Sequence, residues 1–159
     1  MEDIITYESL YEIVRNEKTN DSLQPISEKL TNQLVSYLKT KILVYKEAKE
    51  NKQADIEKIR TQVLSVRRLI KNLYELRERK IINLAISKSR TNSSLEEEKN
   101  LLNYEKNMMG ENLAIIDKFR TEVLLNLINA KTPYKEETNK LKEPELSQSN
   151  QENKEEKEK

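Results

Sequence analysis

The strongest constraint on how this chain folds is a row of apolar residues, Ile56, Ile59, Val63, Val66, Ile70 and Leu73, spaced by three and four. That spacing puts all six on one face of an α-helix, the pattern of a seam packed on other helices. The seam then meets charge. In "LYELRERKIINLA", residues 73–85, its next positions are Arg77 and Lys80, after which Ile81 and Leu84 resume it. A guanidinium in such a place either lays its stem along the stripe and reaches water, or is held by carboxylates or helix-end carbonyls at a junction. Because Lys80 follows and the stripe then continues, a held arginine that fixes helix registry is the expectation. Acidic residues of a first helix, Glu8 or Glu12, or a carboxylate of a neighbouring subunit, are the partners this reading offers.

One Gly and three Pro in 159 residues supply too little punctuation for the many turns of a β-rich or α/β domain. The expected fold class is therefore all-α, a helical bundle with long helices. A first helix is expected over about 6–18 with Thr6 as N-cap and Leu10, Ile13 and Val14 buried. "NEKTNDSLQPIS" ends it, and Ser27 can cap a second helix carrying Leu30, Leu34, Tyr37, Leu38, Ile42, Tyr45 and Ala48 at helical spacing. A break or bend at "KENKQAD" precedes the third helix, expected over about 55–89. The loop "SRTNSSLEEEKN" restarts the chain with Ser93 or Ser94 as cap. A fourth helix then carries Leu101 to Ile128, with Gly110, a poor helix former, expected to mark a kink or a brief interruption. Met108 and Met109 read as adaptable core or interface filling.

Two units follow from composition: a helical domain over 1–130, and a charged tail over 131–159. The last stretch "SQSNQENKEEKEK" has no apolar residue and cannot offset its ordering entropy, so a disordered C-terminal tail is expected. The helical stripes are long and the chain has one Phe and no Trp, which predicts obligate association to cover them.

With no Cys and no His, thiol and imidazole chemistry is unavailable, including Cys/His zinc sites, Ser-His-Asp triads and Glu-x-x-His di-iron sites. A single glycine cannot build a Walker A or dinucleotide loop. The chain is read as a non-enzyme that needs no cofactor and no metal. Its longest apolar runs, "ILVY" and "LAII", are far too short for a bilayer of about 30 Å, and "MEDIITYES" lacks the basic start and apolar core of a secretory signal. A cytoplasmic protein without membrane contact is expected.

Charge is uneven along the chain. Residues 27–90 carry 16 basic and 7 acidic groups, whereas residues 1–26 carry 2 and 6. Arg67, Arg68, Lys71, Arg79 and Lys80 are the densest part of this basic middle. They suit a phosphate-facing surface, but the nearly balanced total charge of +1 favours instead the packing of these basic helices beside the acidic first and fourth helices or beside an acidic partner. The tyrosines are scattered at helical spacing, which suits packing better than base stacking.

A short acidic first helix, a helix with "LTNQLVSYLKTKI", and a long third helix with "LIKNLYELRERKIINLAI" together resemble the helical A domain of GINS, the Sld/Psf-like replication factor family. The order resembles the archaeal A-domain-first subunit. The likeness covers about residues 3–130 and is densest over Arg67–Ala85. It implies a non-enzymatic scaffold subunit in DNA replication, bridging the MCM replicative helicase and a RecJ-like partner within a 2:2 tetramer with a second GINS subunit, nucleoid-associated at replication forks. The interface residues it singles out are Arg67, Arg68, Lys71, Tyr74, Arg77, Arg79, Lys80 and Ile81. Family members usually carry a small β-rich B domain after the helices. Here the polar tail leaves that domain absent or vestigial. Two other functions fit the same residues: a helical nucleic-acid-binding protein, with direct but weak DNA contact through the basic middle, and an unrelated coiled-coil adaptor.

Overall fold

The computed structural model of the protein describes residues 5–133. The tail expected over 131–159 lies, from residue 134 onward, outside them. The described residues are all-α: α1 (Tyr7–Thr19), α2 (Leu30–Glu50), α3 (Ile56–Thr91), a 3-10 turn (Glu96–Asn100), α4 (Asn103–Phe119), a π-turn (Arg120–Leu124) and α5 (Leu125–Ile128).

α3 is the spine, with every other long helix packed on it. α1 begins where Thr6 caps it. Thr6 Oγ1 accepts from the Ser9 amide at 3.1 Å and Ser9 Oγ accepts from the Thr6 amide at 2.8 Å, a reciprocal box that satisfies two otherwise orphaned donors. α2 starts without a side-chain cap, and Ser27 instead accepts the Lys29 amide at 3.2 Å just ahead of it. Asn51 and the turn to Asp55 fold α2 back onto α3. Lys52 takes a left-handed φ of 49° there, and Asn92 does so at 53° to stop α3, a conformation Asn tolerates better than most residues.

Two cores form along the spine. The first joins Ile5, Leu10 and Val14 to Leu30 and to Val66, Leu69 and Leu73. The second joins Leu23, Ile81, Leu84, Ala85, Leu101 and Met109. α4 runs parallel to α3 in constant register, since Arg77 meets Glu105 and Ser89 meets Asp117, 28 residues apart in both cases.

Two local expectations are corrected. The restart after α3 is capped by neither Ser93 nor Ser94. Glu98 closes the 3-10 turn by accepting the Leu95 amide at 2.9 Å, and Glu105 starts α4 by accepting the Leu102 amide at 2.8 Å. Gly110 does not interrupt α4, which runs as one α-helix from Asn103 to Phe119. The irregularity falls ten residues later, at the π-turn.

Candidate functional site

Arg77 sits between the two cores and is 2% exposed. All five of its N–H donors are used. Nε and one terminal nitrogen grip Glu105 in a fork, each at 2.7 Å. The other terminal nitrogen donates to Glu17 Oε2 and to the Gln24 carbonyl, both at 2.8 Å, and the remaining proton reaches the Asn100 carbonyl at 3.0 Å. Burial alone would pull the guanidinium pKa down. The hydrogen bonds and charges of Glu105 and Glu17 outweigh it and hold Arg77 above its ordinary value.

Lys80 completes the junction. Its three ammonium protons go to Glu17 Oε1 at 2.5 Å, to the Glu17 carbonyl at 2.7 Å and to the Ser22 carbonyl at 2.9 Å. Two cations and two carboxylates thus balance, and the carbonyls they serve belong to the end of α1, the loop after it and the end of the 3-10 turn. Those are groups that helix geometry leaves without partners. Asn100 adds a bond to the Leu23 carbonyl at 2.8 Å, and Glu97 accepts the Leu23 amide at 3.2 Å, so the two loops are tied across α3.

The held arginine expected from the sequence is therefore present, but its partners are Glu17 and Glu105. Glu8 and Glu12 are exposed, and Glu12 pairs loosely with Arg15 at 3.6 Å. A signal for the true partners exists. Glu17 follows Leu10 and Val14 on the buried face of α1, and Glu105 precedes Met109 on that of α4, so each helix presents one charge where its stripe calls for an apolar side chain.

The eight candidate interface residues divide. Arg77, Lys80 and Ile81 face inward, with Ile81 1% exposed in the second core. They serve the chain's own packing, because the seam that carries them is the buried face of α3. Arg67, Arg68, Lys71, Tyr74 and Arg79 lie on its outer face. Lys71 pairs with Glu75 at 3.6 Å and Arg60 with Glu57 at 3.6 Å. No carboxylate among the described residues pairs with Arg67, Arg68 or Arg79.

Three other features lie on the surface. An open groove of about 1430 Å³ between the start of α1, α2 and α3 is lined largely by hydroxyl, amide and lysine side chains. Within it Lys41 stands 5.6 Å from the Tyr37 ring centre, and burial, with Glu8 and Tyr7 adding to it, pushes the Tyr37 hydroxyl up. The outer side of α2 exposes Val35, Leu43 and Val44. The last feature is the end of α4. Past Asp117, whose carboxylate takes the Ser89 hydroxyl at 2.5 Å, the helix overruns α3 and packs on no element but its own continuation to any extent. Arg120 there keeps a buried Nε with no hydrogen-bond partner among the described residues, in contrast to the saturated Arg77.

Among the described residues no three acidic side chains gather as a metal-binding group, and no helix is long and apolar enough to cross a membrane. Comparison with known families, with curated proteins and with solved structures returns no match for this chain.

Proposed function

We propose that this chain is a non-enzymatic scaffold subunit of a GINS-like replication complex, whose helices bring together the MCM helicase and a RecJ-like protein alongside a second GINS subunit. The observation that supports this reading is the place of the stretch carrying the resemblance. Residues 67–85 form the middle of the spine, and one face of that stretch organises α1, both loops and α4 around Arg77. Its other face and the outer sides of α2 and α4 are left uncovered. A rigid spine with open apolar faces is what a subunit built to be gripped from several sides requires. The test is purification of the chain from its native cells under mild conditions, with identification of what comes with it. Replicative helicase and a B-domain-first subunit among the companions would support the reading; their absence from a complex of other composition would end it.

Direct nucleic-acid contact is the second reading, favoured by Arg67, Arg68 and Arg79 standing on one outer face without carboxylate partners. In that case binding of the isolated chain to bare DNA should fall steeply with salt, and replacing these three arginines with Ala should flatten the slope by about three charges' worth. Binding that ignores salt, or survives the triple change, excludes it.

A further inference from the structure

We propose that the outer face of α3 docks a second copy of this chain, packed antiparallel about a two-fold axis at the level of Leu73. Leu64, Arg68, Lys71, Glu75, Glu78 and Ile82 follow one another by alternating steps of four and three, the spacing of a coiled-coil seam. Leu64 and Ile82 are about five helical turns apart and so lie on one line, and the four ions between them fall within about 40° of it. That line is opposite the buried seam of Val66, Leu73 and Leu84. Leu64 is 50% and Ile82 37% exposed. Arg68, Lys71 and Glu75 are exposed as well, and Glu78 is half-buried.

The occupant follows from the order of the charges. The stripe reads apolar, two cations, two anions, apolar. Turned end for end against itself, it sets Leu64 opposite Ile82, Arg68 opposite Glu78 and Lys71 opposite Glu75, each pair twice by symmetry. Lys71 and Glu75 already pair along the helix at 3.6 Å, so at the axis the two copies close a ring of four alternating charges. Among the described residues neither Arg68 nor Glu78 has an ion-pair partner within the chain. The second copy supplies one to each.

Other alignments fail on the same charges. A parallel pair puts Arg68 on Arg68 and Glu75 on Glu75. Sliding the antiparallel pair by one heptad sets Arg68 against Lys71 in one direction and Glu75 against Glu78 in the other. Like charges brought together suppress both. The stripe is thus complementary to itself in one direction and one register, and with ions at four of its six positions the dimer it forms is sensitive to salt.

The pairing does not require the replication reading, and it competes with direct nucleic-acid contact for Arg68. Sedimentation of the full chain alone at low salt should show a dimer that dissociates as salt is raised. Arg68→Glu and Glu78→Arg should each weaken dimerisation at least about tenfold, since two pairs turn from attractive to repulsive, with helix content unchanged because both side chains lie off the two cores. The double variant Arg68→Glu/Glu78→Arg should dimerise again, which a parallel pair would not allow. Glu78→Arg also separates the two uses of this face: added positive charge strengthens binding to DNA while it weakens the dimer. The chain's lack of cysteine allows a direct check of register. Leu64→Cys mixed with Ile82→Cys should form a disulfide-linked pair under mild oxidation, and Leu64→Cys by itself should not. A full chain that stays monomeric at its highest soluble concentration in low salt, pairs only with a different subunit, shows no recovery in the double variant, or links Leu64→Cys to itself as readily, would overturn the proposal.

Discussion

The two halves of α3 bury their seams by different means. From Val63 to Leu73 the buried side of the seam is covered mainly by α1 and α2, whose Leu10, Val14 and Leu30 meet Val66, Leu69 and Leu73 in an apolar core. From Arg77 to Ala85 it is covered by α4 and by two loops, whose backbone must be satisfied by ions and amides before the apolar core can close. Helices satisfy their own backbone and need only grease; loops folded over a core bring carbonyls that need donors. Arg77 and Lys80 stand where the covering changes from one kind to the other, and supply eight donors at that boundary.

The largest way to break the comparison is to empty the boundary. Arg77→Ala strips the buried Glu105 of its only cation, leaving it the Leu102 amide, leaves Glu17 to Lys80 alone and two carbonyls unserved, and should cost about 3–5 kcal/mol. Arg79→Ala, two residues on and exposed, should change stability by no more than about 0.5 kcal/mol. Thermal and chemical denaturation of the pair measures both, and similar small losses would mean that the junction contributes nothing specific.

A second change addresses the apolar half alone. Leu10 is fully buried in the first core, so Leu10→Ala should destabilise by roughly 2–5 kcal/mol through lost burial and a cavity. If the junction couples the halves, this loss appears as one cooperative transition in near- and far-ultraviolet circular dichroism. Separate transitions would show that the halves unfold independently. Hydrogen exchange sharpens the contrast further along the chain. Amides at 120–128, on the free end of α4, should exchange well before those of 63–85 in the isolated chain, because no packed neighbour protects them.

Acid acts on the second half through Glu98. The Leu95 backbone amide first, then Lys88 at 2.7 Å, hold the Glu98 carboxyl below its ordinary value of 4.5. A depressed carboxyl stabilises the fold above its unfolded pKa, and that contribution fades as pH falls through the folded value. Stability should therefore be lost at pH values below about 4.5, and Glu98→Gln should reduce the acid dependence without altering stability's trend near neutrality. A carboxyl titration by NMR that places Glu98 at or above the ordinary value would contradict this. The smallest expected effect is a gain. Gly110 lies in regular helix with open space around it, so Gly110→Ala should stabilise the chain by about 0.5–1 kcal/mol.

The local rules were legible without the fold. Thr6 as cap, the seam of α3 and the break at 51–55 depend on neighbours within a turn or two, and they lie where periodicity and capping place them; the serine caps expected at Ser27, Ser93 and Ser94 do not form at the helix starts. Gly110 misled because low propensity is weak against the packing of Met109 and Leu113 on either side of it. The π-turn left no mark in composition.

What the sequence by itself determined is that this chain makes long amphipathic helices and sets a charge on a seam. Periodicity is a property of each helix taken alone. Which carboxylates meet Arg77 was decided by tertiary structure, because that depends on α1 and α4 both running parallel to α3, and on two loops crossing at one level. Direction and register are relations between helices. They arise when burial of all the stripes and satisfaction of all the loop carbonyls are solved together, and Glu17, Arg77 and Glu105 coincide only in that solution.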